Sequence, residues 1–229
     1  MKLGYKPGIV SRGYGGKFKE TLKVTDETPV KQTGDEAQIL ATLGIPFYID
    51  KNRVRALKTL NKNHDCDVII SDDGLQHYNM NRDIEIVVID GKRRFGNNLS
   101  FPAGPLRESL KRLDSVDFIV NNSGPTEDGE HLMNVSPAKF IHLKSGKSYS
   151  VEQWPMHKQV HAVAGLGNPG RFFDLLARLG FDITRNPFPD HHNFISEDVH
   201  FLDHLPIIMT EKDASKCKDF DNNKIWYLT

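Results

Sequence analysis

Asp67-Val68-Ile69-Ile70-Ser71-Asp72-Asp73-Gly74-Leu75-Gln76-His77 is a short apolar strand that runs into two carboxylates and a glycine. Apolar runs bounded by turn residues read as strands buried in a sheet, and they recur at residues 9–10, 84–89, 118–120, 161–164 and 207–209. Helical patterns lie between them. Ile39, Leu40 and Leu43 share one face of a helix predicted over 35–43 and stopped by Gly44 and Pro46, and Val54, Leu57 and Leu60 share a face over 53–60. Strands that alternate with helices and are nearly continuous in apolar residues imply an α/β fold with a parallel sheet covered on both faces. The ligand crevice of such a sheet lies beyond the carboxyl ends of its strands, where Asp72 and Asp73 fall. Folds that transfer phosphoryl groups use a strand ending in Asp to hold magnesium. A plain turn cap is the competing account, and the adjacent Gln76 and His77 weigh against it.

The pattern loosens over residues 121–158 into Gly, Pro, Ser and Lys, with weak alternation near residues 140–143. This places a domain boundary, giving a larger domain at 1–157 and a smaller α/β domain at 158–229. The second begins with a strand and Gly165-x-Gly167-x-x-Gly170. A helix follows, with Asn168 as cap, Pro169 in its first turn, Phe172, Phe173, Leu176 and Leu179 on one face, and Gly180 as its stop. Ser196 is expected to cap another helix carrying Val199, Leu202 and Leu205. The glycine pattern resembles a dinucleotide fingerprint, but Pro169 interrupts it and the acid expected about 20 residues on has only Asp182 or Asp190 to offer.

With 38% hydrophobic and 26% charged residues, the chain has the composition of a folded globular protein. Its 30 basic and 30 acidic residues cancel, so there is no global field to recruit nucleic acid, and an anionic ligand must be met locally. Cys66 and Cys217 have neither metal-ligand nor redox-pair spacing and read as reduced thilos of a cytosolic setting. No stretch approaches the ~18 to 20 apolar residues of a membrane span, and the first residues lack the apolar run of a signal peptide.

Four further groups could carry chemistry. Gly34-Asp35-Glu36 puts two acids at a helix start, where capping alone would also favour them. Ser11-Arg12-Gly13-Tyr14-Gly15-Gly16-Lys17 could bring backbone, Arg12 and Lys17 to a phosphate, though its spacing is not that of a P-loop. Pro102-Ala103-Gly104-Pro105-Leu106-Arg107-Glu108 sets an arginine and an acid after a rigid turn. Pro189-Asp190-His191-His192 gathers two histidines beside an aspartate, which suits a metal or acid–base role.

Read in order, these blocks closely resemble the tetraacyldisaccharide 4′-kinases of lipid A biosynthesis. Arg82-Asp83-Ile84-Glu85-Ile86, Phe95-Gly96-Asn97, Arg171-Phe172-Phe173 and Met209-Thr210-Glu211-Lys212-Asp213-Ala214 extend the likeness over nearly the whole chain. The resemblance implies a P-loop-NTPase-like parallel sheet with a smaller C-terminal α/β domain. It implies transfer of the ATP γ-phosphoryl, with Mg2+, to the 4′-hydroxyl of a tetraacylated glucosamine disaccharide. The expected setting is the cytoplasmic face of the bacterial inner membrane, with a membrane surface as partner and no nucleic acid. By resemblance Asp72 and Asp73 serve the magnesium, with Gln76 and His77 nearby. Asp35 faces the sugar hydroxyl and pairs with His191 rather than His192. Arg12, Arg107, Glu108 and Glu36 address the nucleotide or charged substrate.

The family also carries an anchor, a first strand and a Walker A loop upstream of the Ser-Arg-Gly-Tyr-Gly-Gly block, and only ten residues precede Ser11. The sheet is therefore expected to lack its first strand and phosphate loop, with weak ATP binding and little kinase activity as the consequence. Two other readings stand beside the kinase: a metal-dependent phosphohydrolase built from Asp35, Asp72, Asp73, His191 and His192, and a non-catalytic remnant.

Overall fold

A computed structural model describes residues 3–229; Met1 and Lys2, the head of the segment read for a signal peptide, lie outside the described residues. The strands are β1 (Pro7–Ser11), β2 (Leu22–Lys23), β3 (Phe47–Ile49), β4 (Val68–Ser71), β5 (Ile86–Asp90), β6 (Phe118–Asn122), β7 (Glu130–Met133), β8 (Lys139–His142), β9 (Ser148–Ser150), β10 (Gln159–Ala164), β11 (Asp182–Pro187), β12 (Ile207–Thr210) and β13 (Ile225–Leu228). The helices are α1 (Val30–Thr33), α2 (Asp35–Ala41), α3 (Arg53–Asn63), α4 (Pro169–Arg178) and α5 (Glu211–Ala214). The chain is an α/β fold of two compact units, one reaching up to Ile70 and resuming at Pro137–Thr229, the other Ser71–Ser136. The hairpin β8–β9 pairs with β13 and so joins the C-terminal sheet, and the N-terminal sheet packs with that sheet through α2.

The first unit holds two sheets. One has the order β2-β3-β1-β4, with β1 and β3 parallel; the other has the order β11-β10-β12-β13-β8-β9, parallel from β11 to β13 and closed by the antiparallel hairpin. Alternation along the strands covers both faces of each. Ile9, Phe47 and Ile49 pack under α2, and Val10 and Tyr48 under α3. Val160, Ala162 and Ile208 face Phe172, Phe173 and Leu176 of α4, while Val163, Ile207, Met209 and Ile225 face Phe194 and Cys217. In each sheet the first strand, β1 or β10, has the next parallel strand on one side and a later strand on the other. That reversal opens a crevice at the strands' carboxyl ends.

The second unit is the parallel sheet β5-β6-β7. Here full burial fails: Ile86, Val88 and Phe118 form an exposed row, and in the first unit Val68 and Ile70 of β4 are also exposed. Strand β5 begins at Ile86 because Glu85 is spent on Arg82 and Arg112, and its backbone N–H donates to Asp117 at 2.7 Å. The helix expected to carry Leu202 and Leu205 is a single turn, Ser196–Val199, and Leu202 is exposed. Asp203 accepts the Leu205 N–H and Pro206 follows, a combination that favours a turn over helix. The stretch 121–158, read as irregular, contains β7, β8 and β9. Among the described residues no helix is long and apolar enough to cross a membrane.

Candidate functional site

In the first unit Asp35 stands at the start of α2, on the crossover from β1 to β3. Gly34 sets its direction at φ +83°, with the Tyr14 carbonyl where a Cβ would be. The buried Thr33 hydroxyl donates to Gln38, whose amide donates to the Asp26 carbonyl at 2.9 Å, so the helix start is fixed from within. Asp35 Oδ2 lies 2.9 Å from Lys216 Nζ and 3.3 Å from His191 Nδ1. His191 is held at φ +57°, and its backbone N–H donates to Asp190 Oδ1 at 3.0 Å. This loop and Lys216 follow the carboxyl ends of β11 and β12, on either side of β10, at the reversal of the sheet.

The histidines divide by environment. His191 is 46% exposed and meets Asp35. His192 stacks on Phe188 and its Nε2 is 2.8 Å from Asp198 Oδ2, so it fixes the loop. Beneath them Asp213 is fully buried, accepting from the Gly165 N–H at 2.9 Å and the Thr210 hydroxyl at 2.8 Å. The glycine run that imitates a dinucleotide fingerprint is thus occupied by this protein's own acids: Asp213 takes Gly165, and the Asp190 carboxylate lies against Gly167. Asn168 stands at the cap position of α4 without a side-chain capping bond, and Pro169 opens the helix.

In the second unit Asp72 is half-buried and Asp73, at φ +45°, is exposed. Arg107 Nη1 reaches both Asp73 oxygens, at 3.2 and 3.3 Å. Glu108 accepts from Gln76 at 2.9 Å and from the Tyr78 hydroxyl. Arg82 donates to the carbonyls of Gly74 and His77 at 3.0 and 3.1 Å, clamping the turn that displays the acids. Magnesium is normally held by one or two carboxylates plus water and substrate phosphates. Two hard oxygen donors on a clamped turn fit that pattern. Among the described residues no group of three or more His, Cys, Asp or Glu is gathered for a metal. Arg12, after β1, and Glu36, next to Asp35 in sequence, are both exposed.

The family model for tetraacyldisaccharide-1-P 4′-kinase matches residues 1–229. The chain belongs to the tetraacyldisaccharide 4′-kinase family. A tetraacyldisaccharide 4′-kinase of Ruthia magnifica subsp. Calyptogena magnifica is 47% identical over 227 residues, 98% of this chain and 71% of that protein. One from Shewanella denitrificans is 45% identical over 230 residues, 99% of this chain and 69% of that protein. The fold is similar to a crystal structure of LpxK from Aquifex aeolicus, an "apo" form in complex with ATP, with TM-score 0.81 and 24% identity over 100% of this chain and 74% of that one. As a tetraacyldisaccharide 4′-kinase the protein is a phosphotransferase, and the phosphohydrolase reading gives way to it.

Sequence reasoning about this 4′-kinase missed Lys216 and the role of Asp213. Both stand in Glu211-Lys212-Asp213-Ala214-Ser215-Lys216, which reads as a solvated charged turn. The available signal was position: the block follows the apolar run of β12, so its side chains stand at a strand's carboxyl end. Cys217, next in sequence, is buried, and burial with the nearby Asp213 pushes its thiol up to about 12, which marks it as packing.

Proposed function

We propose that Asp35 and His191 act on the acceptor hydroxyl of a lipid A disaccharide precursor, while Asp72 and Asp73, with Arg107 and Glu108 beside them, serve the magnesium and phosphates of ATP. The carrying observation is the Asp35–His191 contact at 3.3 Å, made by two residues 156 positions apart. When bound, ATP with magnesium supplies the phosphoryl group and neutralises part of the charge developing on it. The transition state is loose, so the chain's task is chiefly to place groups. Asp35 orients the hydroxyl and accepts its proton as the oxygen becomes a nucleophile, and His191, open to solvent, passes that proton on. Gln76 and His77 steady the acidic turn, and Arg12 and Glu36 address the nucleotide or the charged substrate. We also propose a working division into a nucleotide domain at 1–157 and a smaller domain at 158–229, and action at the cytoplasmic membrane surface, where a tetraacylated substrate resides.

The test is turnover of the full-length protein on ATP and the disaccharide lipid. D35N and H191A should each lower kcat by about 10²-fold or more, the usual contribution of a placed acid–base group, with little change in KM for ATP. Near-normal turnover in D35N would remove Asp35 from the reaction.

A further inference from the structure

We propose that Lys216 is a positioning residue for Asp35, an ammonium built into the fold to hold one carboxylate oxygen so that the other is presented to the acceptor. The inference rests on the reading of Asp35 given above. It begins with burial. The Lys216 side chain is only 8% exposed, and an ammonium out of water is tolerated only where oxygens surround it. Three do: Asp35 Oδ2 at 2.9 Å, the His192 carbonyl at 3.1 Å and Asp213 Oδ1 at 3.9 Å.

Those partners differ in what else they do. Asp213 is committed through its other oxygen to Gly165 and Thr210. The His192 carbonyl belongs to a loop already fixed by Asp198. Asp35 alone is the end of a chain of contacts: its Oδ2 takes both Lys216 and His191, and among the described residues nothing bonds to Oδ1. A carboxylate pinned through one oxygen has lost rotation about its last bond, so its other oxygen keeps a single direction. The half-exposed His191 cannot supply this, because a side chain open to water has rotamers to sample. Lys216 also comes from the opposite sheet, after β12, whereas Asp35 comes from the crossover beside β1. The ion pair therefore fixes Asp35 against the same frame that carries His191.

A merely structural lysine and a positioning lysine predict different kinetics. In the full-length protein K216M should lower kcat about 10²-fold, the scale on which a misplaced catalytic group costs rate, while KM for ATP changes less than about threefold. K216R, which keeps a cation, should recover part of kcat, and K216A should gain activity saturably with added propylammonium without a matching rise in Tm. If K216M does not fold, K216A with and without propylammonium decides alone. Wild-type kcat in K216M, a loss confined to KM, or a K216A enzyme that neither Arg nor amine restores would overturn the proposal. D35N separates the two readings: a dead D35N beside a normal K216M defeats only the role of Lys216, and a normal D35N defeats the reading beneath it.

Discussion

Asp213 Oδ2 accepts the backbone N–H of Gly165 at 2.9 Å across 48 residues of chain, which fastens the turn after β10 to the start of α5. The same carboxylate accepts the Thr210 hydroxyl, and Thr210 in turn caps α5 by accepting the Asp213 N–H at 3.2 Å. Removing it leaves a buried amide unsatisfied and takes one counter-charge from Lys216. D213A should therefore cost roughly 3 kcal/mol of stability, the range for breaking a buried charged bond. D213N, which keeps an acceptor oxygen, should cost less. Denaturant unfolding of the wild type and both variants checks this, and a D213A midpoint equal to the wild type's would show that Asp213 anchors nothing.

Gly34 connects a backbone angle to the site. At φ +83° with the Tyr14 carbonyl in the Cβ direction, alanine is disfavoured both by conformation and by contact. G34A is expected to lose about 1–3 kcal/mol, the usual scale of forced positive φ. Asp35 is the next residue, so the variant should also lose kcat out of proportion to its fall in Tm. Thermal unfolding and turnover measured on the same preparation separate the two effects.

What could be read from the sequence follows the range of the interactions involved. Strands β1, β4, β6, β10 and β12 and helices α3 and α4 are local apolar patterns, and the acids after β4 announce themselves by their place at a strand's end. Ile225-Trp226-Tyr227-Leu228, which forms β13, is a short unbroken apolar run and equally legible as a strand. The strands β7, β8 and β9 have mixed polarity and take their form from neighbours: Phe140 is buried because β13, Trp154 and Phe181 lie against it. Lys216 has the same history. Nothing near it distinguishes a buried lysine from a solvated one, because its partner Asp35 is 181 residues earlier in the chain, and burial there is a property of the assembled sheets.

The cysteines should react poorly with thiol reagents in the native state. Burial pushes the Cys217 thiol up to about 12, and burial also raises that of the half-buried Cys66. At pH 8 almost no Cys217 thiolate exists, and thiolate is the reactive form. Labelling with a chromogenic disulfide should therefore be slow at Cys66 and absent at Cys217 until denaturant is added. Rapid modification of Cys217 in folded protein would contradict the packing around Val163, Met209 and Ile225.

Glu130 gives the second unit an acid-sensitive joint. Its carboxylate meets Arg94 at 2.8 Å, accepts from Asn121 of β6 at 2.8 Å and from the Glu127 N–H at 3.0 Å. These bonds, Arg94 foremost, draw its pKa down from 4.5 to about 2. A depressed carboxyl pKa means that the folded state prefers the charged form more than the unfolded chain does. The stabilisation is therefore complete above pH 4.5 and is lost as pH falls from there through about 2. E130Q removes the charge, so it should lower stability at pH 7 and flatten the dependence across that acid window. Hydrogen exchange of the Asn121 and Leu132 amides, followed from pH 5 to pH 3 after correction for intrinsic rates, reads this locally. Protection that declines equally in wild type and E130Q would mean that another group carries the acid sensitivity of β5–β7.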